Sequence, residues 1–196
     1  MPVRVNAAYG RIFLLLIMTK LIILDRDGVI NKDSDNYIRS PEEWLPLPGS
    51  IEAMAQLYKS GFTVTIATNQ SGLARGYFSL DTLNAMHDKM NILLEQQQGR
   101  VAAIKYCPHG PDNNCQCRKP LPGMVEELIR EFQVDPAECW LVGDSLRDLV
   151  AGQAAGCKVA LVKTGKGVRT LAKGEGLEGI PVFEDLTDFT HFILAD

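Results

Sequence analysis

The sequence carries no excess of basic charge. Twenty Lys and Arg stand against 24 Asp and Glu over 196 residues, a net charge of −4, so the general electrostatic footprint of a nucleic-acid binder is missing. Nor is there an apolar run of the roughly 20 residues that a membrane span needs. The segment Arg11–Met18, RIFLLLIM, is far shorter, and no small-residue cleavage site follows it. Internal repeats, linkers and low-complexity segments are absent, which leaves a single folding unit as the simplest organisation for this length. Because MTKLIILD opens a clean strand, residues 1–17 are expected to be an upstream extension and Met18 the true start. Residues 18–196 are then expected to form one cytoplasmic, monomeric domain with reduced thiols and no nucleic-acid or membrane partner.

Histidine and cysteine are scarce, and what there is lies unevenly. Tyr106–Pro120, YCPHGPDNNCQCRKP, holds three of five cysteines and one of three histidines. A metal site, a disulfide scaffold and coincidence all stay open on composition alone, although reduced thiols favour metal. Cys107-Pro-His109, five residues, then Cys115-Gln-Cys117 offers the four ligands of a closed zinc site over 107–117. The loop has little apolar material to pack, so a metal could stand in for the missing core. Cys139 and Cys157 read as packing residues.

Short apolar runs rich in β-branched residues alternate with helical patterns. Strands are predicted at Lys20–Asp25, Phe62–Thr68, Ala102–Cys107, Cys139–Asp144 and Lys158–Thr164. Helices are predicted at Ile51–Tyr58, Leu80–Leu94, Met124–Phe132 and Leu146–Ala155, the last stopped by Gly156. This alternation predicts a doubly wound, mainly parallel α/β sheet, whose ligands bind beyond the carboxyl ends of the strands. Asp25 and Asp27, Thr68 and Asn69, the Cys/His loop with Arg118 and Lys119, and Asp144 all fall at such ends.

Asp25 and Asp27 lie two residues apart, so an extended chain aims both side chains into one pocket. Paired carboxylates repel unless a cation sits between them or one is protonated. Mg²⁺ fits such a site, and Asp144 would complete its protein ligands. One aspartate could attack phosphorus while the other protonates the leaving alkoxide and activates water. Thr68, with Asn69, Arg118 and Lys119, would hold phosphoryl oxygens and offset their charge.

The segments DRDG, a strand ending in TNQSG, RKP and GDSLRD, in this order, resemble the four motifs of the haloacid dehalogenase (HAD) superfamily of Mg²⁺-dependent phosphatases. Closer still, YCPH, C-x-C-RKP-x-PGM and TNQSGLARGYF resemble its histidinol-phosphatase-like subgroup. The resemblance implies a HAD-like Rossmannoid sheet with Asp25 as nucleophile and Asp27 as general acid/base. It implies Mg²⁺ on Asp25, Asp144 and the Asp27 carbonyl, and structural Zn²⁺ on Cys107, His109, Cys115 and Cys117. Asp148, the trailing acid of the fourth motif, is expected to be structural. Ser145 departs from the lysine common after the fourth-motif aspartate.

The intervals between the motifs are too short for a large cap domain, so the site is expected to be open, covered partly by residues 31–47 and the zinc loop. Such a site suits a small sugar phosphate. The subgroup implies the 7-phosphate of a heptose 1,7-bisphosphate first and histidinol phosphate as the alternative. Asp33 and Asp35 read as loop solvation near the substrate, since no calcium-loop pattern follows them. Rivals from another class are a phospho-receiver or a non-catalytic interaction module. A receiver lacks this second aspartate and the Cys/His loop, and an inactive module would not need all four motifs intact.

Overall fold

The computed structural model describes residues 20–195; the extension expected at 1–17 lies outside them. Its centre is β1 (Leu21–Leu24), four aliphatic residues with no solvent exposure. Burying each such side chain fully is worth about 1.5–3 kcal/mol, so this short strand anchors the sheet. β1 pairs in parallel with β2 (Thr63–Asn69) on one side and β4 (Cys139–Gly143) on the other. β3 (Ala103–Cys107) extends the sheet beyond β2; β5 (Lys158–Val162) and β6 (Val182–Phe183) extend it beyond β4. The order is β3-β2-β1-β4-β5-β6, every pairing parallel.

Alternation along β1 decides which layer each side chain serves. Ile22 and Leu24 join the core under α1 (Ser50–Lys59), α2 (Leu80–Gln96) and α6 (Leu186–Ala195), while Leu21 and Ile23 face the core under α3 (Gly123–Phe132) and α4 (Leu146–Ala154). α5 (Gly167–Lys173) follows β5. The five predicted strands and four predicted helices are all present, with ends shifted by a residue or two. β6, α5 and α6 were not predicted.

The order in which strands are added reverses at β1, so β1 and β4 open a crevice beyond their carboxyl ends. The segment after β1 folds back over it through bridges of Asn31 with Asp27 and with Pro46. Trp44 is fully buried beneath this flap, and the Lys89 ammonium donates to the carbonyls of Pro41 (2.6 Å) and Trp44 (2.8 Å). Trp44 therefore ties the flap to α2. Among the described residues no second sheet stands over the crevice, and no helix is long and apolar enough to cross a membrane.

Candidate active site

Asp25 leaves β1 with its backbone N–H donating to the Val142 carbonyl of β4 (2.9 Å), and its carboxylate enters the crevice. Lys119 reaches it from the far side of the sheet edge. The ammonium is 2% exposed and lies 2.9 Å from Asp25 Oδ1, 2.6 Å from Asp148 Oδ1 and 2.6 Å from the Ala67 carbonyl. Its three protons thus meet three acceptors. Burial alone would make this ammonium easier to deprotonate, but the carboxylates of Asp148 and Asp25 outweigh it and hold the group charged. Asn69, at the end of β2, fixes the main chain that carries Lys119. Its Nδ2 donates to the Lys119 carbonyl (3.0 Å) and its Oδ1 accepts from the Lys119 N–H (3.1 Å). The amide expected to touch phosphate thus spends one donor and one acceptor site on the main chain, while Asn69 still lines the crevice.

Asp144 enters at the end of β4 and is nearly buried at 3% exposure. Two glycines make room for it. A Cβ on Gly28 would stand 2.0 Å from Asp144 Oδ2 and one on Gly165 2.2 Å from it, and both residues have positive φ. No other residue fits either position. The same carboxylate accepts the Lys166 backbone N–H at 2.7 Å. Asp148 caps α4, accepting from the Ser145 N–H (3.1 Å) and hydroxyl (2.6 Å) as a capping box. Its second oxygen holds Lys119, a link that sequence reading missed because 29 residues and two strands separate the partners.

Asp25, Asp144 and Asp148 place carboxylate oxygens within 4.8 Å of one another. Burial, aided by Asp148 and Asp27 and opposed by Lys119, raises Asp25 to about 6. Burial, followed by the charges of Asp25 and Asp148, raises Asp144 to about 8. Carboxylates this reluctant to ionise together form a donor set that fits a hard divalent cation. Asp148 is the exception: burial opposes its charge, but Lys119 prevails and holds it below the usual carboxylate range.

Asp27 is built differently. Its Oδ1 accepts from Arg26 Nη2 (2.8 Å), Arg26 Nε (3.1 Å) and Asn31 Nδ2 (2.9 Å); its Oδ2 accepts from Gln70 Nε2 (3.0 Å). Burial opposes its charge, yet Arg26, Asn31 and Gln70 together hold it below the ordinary range. Gln70 Nε2 also donates to the Thr68 hydroxyl at 2.9 Å, so one amide couples Thr68 to Asp27. Arg26 is 1% exposed and its Nη2 donates to Gln70 Oε1 at 3.2 Å. Neither Arg26 nor Gln70 was singled out from sequence. The spacing of Gln70 from Thr68, two residues along one strand end, was the available signal.

The Cys/His loop closes beside Lys119. Cys107 Sγ lies 3.2 Å from Cys117 Sγ and 3.8 Å from Cys115 Sγ, and His109 Nδ1 lies 3.6 Å from Cys107 Sγ and 3.4 Å from Cys117 Sγ. A tetrahedral zinc with ordinary bond lengths spaces its ligands by about 3.8 Å between sulfurs and about 3.6 Å between sulfur and nitrogen. All four ligand atoms lie within 4.8 Å of one another, and none of the three thiols is in a disulfide. This set could bind zinc. Burial and its sulfur neighbours push Cys117 up to about 12, as expected of thiols crowded together without a cation. Arg118, next in the chain, donates from Nη1 to the His109 carbonyl (3.1 Å) and lines the same crevice as Asp25. Cys139 and Cys157 are buried in the core beneath α4.

A family profile described as HAD-hydrolase-like matches residues 116–189, the stretch that carries Lys119, Asp144 and Asp148. Over 177 residues the chain is 56% identical to the D-glycero-beta-D-manno-heptose-1,7-bisphosphate 7-phosphatase of Bordetella bronchiseptica, covering 90% of this chain and 99% of that one. The chain belongs to the HAD-like hydrolases. The Pseudomonas aeruginosa protein of the same name is 55% identical over 174 residues, 89% of this chain and 97% of its own. A crystal structure of the D,D-heptose 1,7-bisphosphate phosphatase from B. bronchiseptica, complexed with magnesium and phosphate, superposes with a TM-score of 0.89 at 56% identity, over 90% and 99% of the two chains. The corresponding enzyme from Burkholderia thailandensis gives 0.73 at 43% identity, over 91% and 100%. The HAD-like fold and the phosphatase class expected from the motifs therefore hold.

Proposed function

We propose that this protein hydrolyses the 7-phosphate of D-glycero-D-manno-heptose 1,7-bisphosphate through an aspartyl phosphate on Asp25. The observation that carries the substrate is 56% identity across nearly the full length of an enzyme of that name. The geometry supports the mechanism. The Asp25 carboxylate attacks phosphorus while the bond to the sugar oxygen breaks, its electron pair staying with that oxygen. Asp27 supplies the proton the oxygen needs. Arg26 keeps Asp27 ionised in the free site; a phosphate dianion arriving beside it favours the protonated form by like-charge repulsion. Asp27 then takes a proton from water, and the water oxygen displaces Asp25 from phosphorus, releasing phosphate and the free carboxylate.

Lys119 offsets the charge on Asp25 before and after each transfer, with Asp148 and Asn69 fixing its place. Thr68 and Arg118 bind phosphoryl oxygens, and Asn69 acts through Lys119. Asp25, Asp144 and the Asp27 carbonyl would hold Mg²⁺, which when bound neutralises the crowded carboxylates and polarises the phosphoryl group. Cys107, His109, Cys115 and Cys117 would hold a structural Zn²⁺ that fixes Arg118 and Lys119. We also read residues 18–196 as one cytoplasmic, monomeric domain. The test is phosphate release with Mg²⁺ from heptose 1,7-bisphosphate and from histidinol phosphate, compared by kcat/KM. A preference for the heptose is expected. A preference for histidinol phosphate would refute the substrate and leave the catalytic residues standing.

A further inference from the structure

Charge around the crevice is divided in a way the chemistry at Asp25 does not use. The pocket over Asp25 is lined by six aspartates against four cations. Next to it, between the start of α4 and α5, lies an open cleft of about 450 Å³ lined by Arg147, Lys166, Arg169 and Lys173 with Glu175 as its one acid. The two share Ser145, Arg147 and Lys166, and Ser145 directly follows Asp144, so the cleft begins one residue from the candidate metal site. Two of the cations are engaged by the flap: Lys166 pairs with Asp33 at 2.7 Å and Arg169 with Asp35 at 3.2 Å. Among the described residues, Arg147 and Lys173 have no carboxylate within ion-pair distance. Arg147 is exposed on the first turn of α4, where no packing role accounts for it.

We propose that this cleft is a second phosphate subsite, which takes the phosphate the enzyme leaves in place. The inference rests on the bisphosphate reading above. A sugar with one phosphate over Asp25 must put its other dianion somewhere, and the acid-rich pocket repels it. Across the Ser145–Arg147 edge the balance of charge reverses, and Arg147 offers a planar fork suited to phosphate oxygens. Lys173 adds a mobile point charge from α5. The Asp33–Lys166 and Asp35–Arg169 pairs hold the flap along the mouth and keep the remaining cations free for the ligand. The subsite thus determines specificity: it favours sugars phosphorylated at both ends.

The test uses the full chain loaded with magnesium and zinc, and compares kcat/KM for heptose 1,7-bisphosphate with that for heptose 7-phosphate. The wild type should favour the bisphosphate by roughly tenfold or more, as a charge-assisted contact provides. The double substitution Arg147→Ala, Lys173→Ala should lower that ratio by roughly tenfold, mainly through KM, and Arg147→Lys alone should retain most of it. A ratio within twofold of wild type in the double variant, or no preference in the wild type, would overturn the subsite while leaving the phosphatase intact. Turnover of neither sugar by the wild type would overturn the phosphatase reading and the subsite with it.

Discussion

Replacing Lys119 by Met removes one buried cation and leaves two buried carboxylates facing each other. Lys119 is 2.6 Å from Asp148 and 2.9 Å from Asp25, with Asp148 as little exposed as the lysine itself. Deleting one member of a buried ion pair typically costs 3–5 kcal/mol. Asp25, already raised to about 6 with the lysine present, can escape part of this by taking a proton. Asp148 is the harder of the two to protonate, because the Ser145 N–H and hydroxyl still donate to its carboxylate and favour the charged form. A loss of about 3 kcal/mol follows, which for a chain of this length lowers Tm by about 6–12 °C. Turnover should fall by roughly 10²–10³, the usual cost of removing one preorganised charge from a reacting group. Thermal unfolding of Lys119→Met beside the double variant Lys119→Met, Asp148→Asn separates the two effects. The second substitution removes the unmatched charge, so it should recover at least half of the lost Tm without restoring activity. A single variant within about 2 °C of wild type would refute the reasoning, as would a double variant whose losses simply add.

Asp25→Asn should lower kcat by more than about 10³-fold while leaving Tm at or above wild type, because it relieves the crowded carboxylates; appreciable turnover in single-turnover assays would rule out a covalent role. Metal analysis should find one zinc per chain, and chelation should open the Cys107–Cys117 loop to proteolysis and reduce activity without unfolding the sheet. Global unfolding on chelation, or a loop that stays protected, would count against a local structural zinc. His87 should govern part of the acid limb of stability. Burial, with the Arg26 charge, lowers it to about 4, and its Nε2 has no hydrogen-bond partner. A depressed folded-state value means the unfolded chain protonates first as pH falls from about 6.5 to about 4. Stability is thus fully present above this window and lost through it, by about 3 kcal/mol. Denaturant unfolding of His87→Met should show a flatter pH profile there, and an unchanged profile would assign the acid limb to other groups.

The strands were legible because parallel strands buried on both faces read as continuous apolar runs, as in LIIL and CWLVG. β6 was not, because a two-residue strand has no period to detect. In α6, LTDFTHFILA, apolar residues cover most of the helix surface and blur the stripe that marks one face. At the site, Asp25, Asp27, Asp144 and the four zinc-type ligands stood out because each sits in a compact motif of rare or charged residues. What sequence concealed were relations between motifs. Lys119 was visible as a cation but not as the partner of Asp148, and Asn69 was visible as a polar strand end but not as the residue whose amide bonds the Lys119 backbone at both ends. Arg26 drew no notice between two aspartates, although its buried guanidinium grips the second of them. Such links depend on the order of strands in the sheet, which local pattern does not encode.

The strand order also bears on how the chain is made. β1 lies between β2 and β4, and Leu24 pairs with Val142, so the central strand acquires its second neighbour only after more than a hundred further residues have been synthesised. Emerging from the ribosome, the first half can pair β1, β2 and β3, but one long edge of β1 stays open and Asp25 has neither Asp144 beside it nor Lys119 against it. Non-local parallel pairing of this kind closes slowly and exposes apolar strand edges while it waits. The nascent chain therefore passes through a stage in which its most hydrophobic strand is unprotected. The candidate magnesium cluster cannot assemble before that edge is covered, so metal binding belongs to the end of folding and cannot seed it.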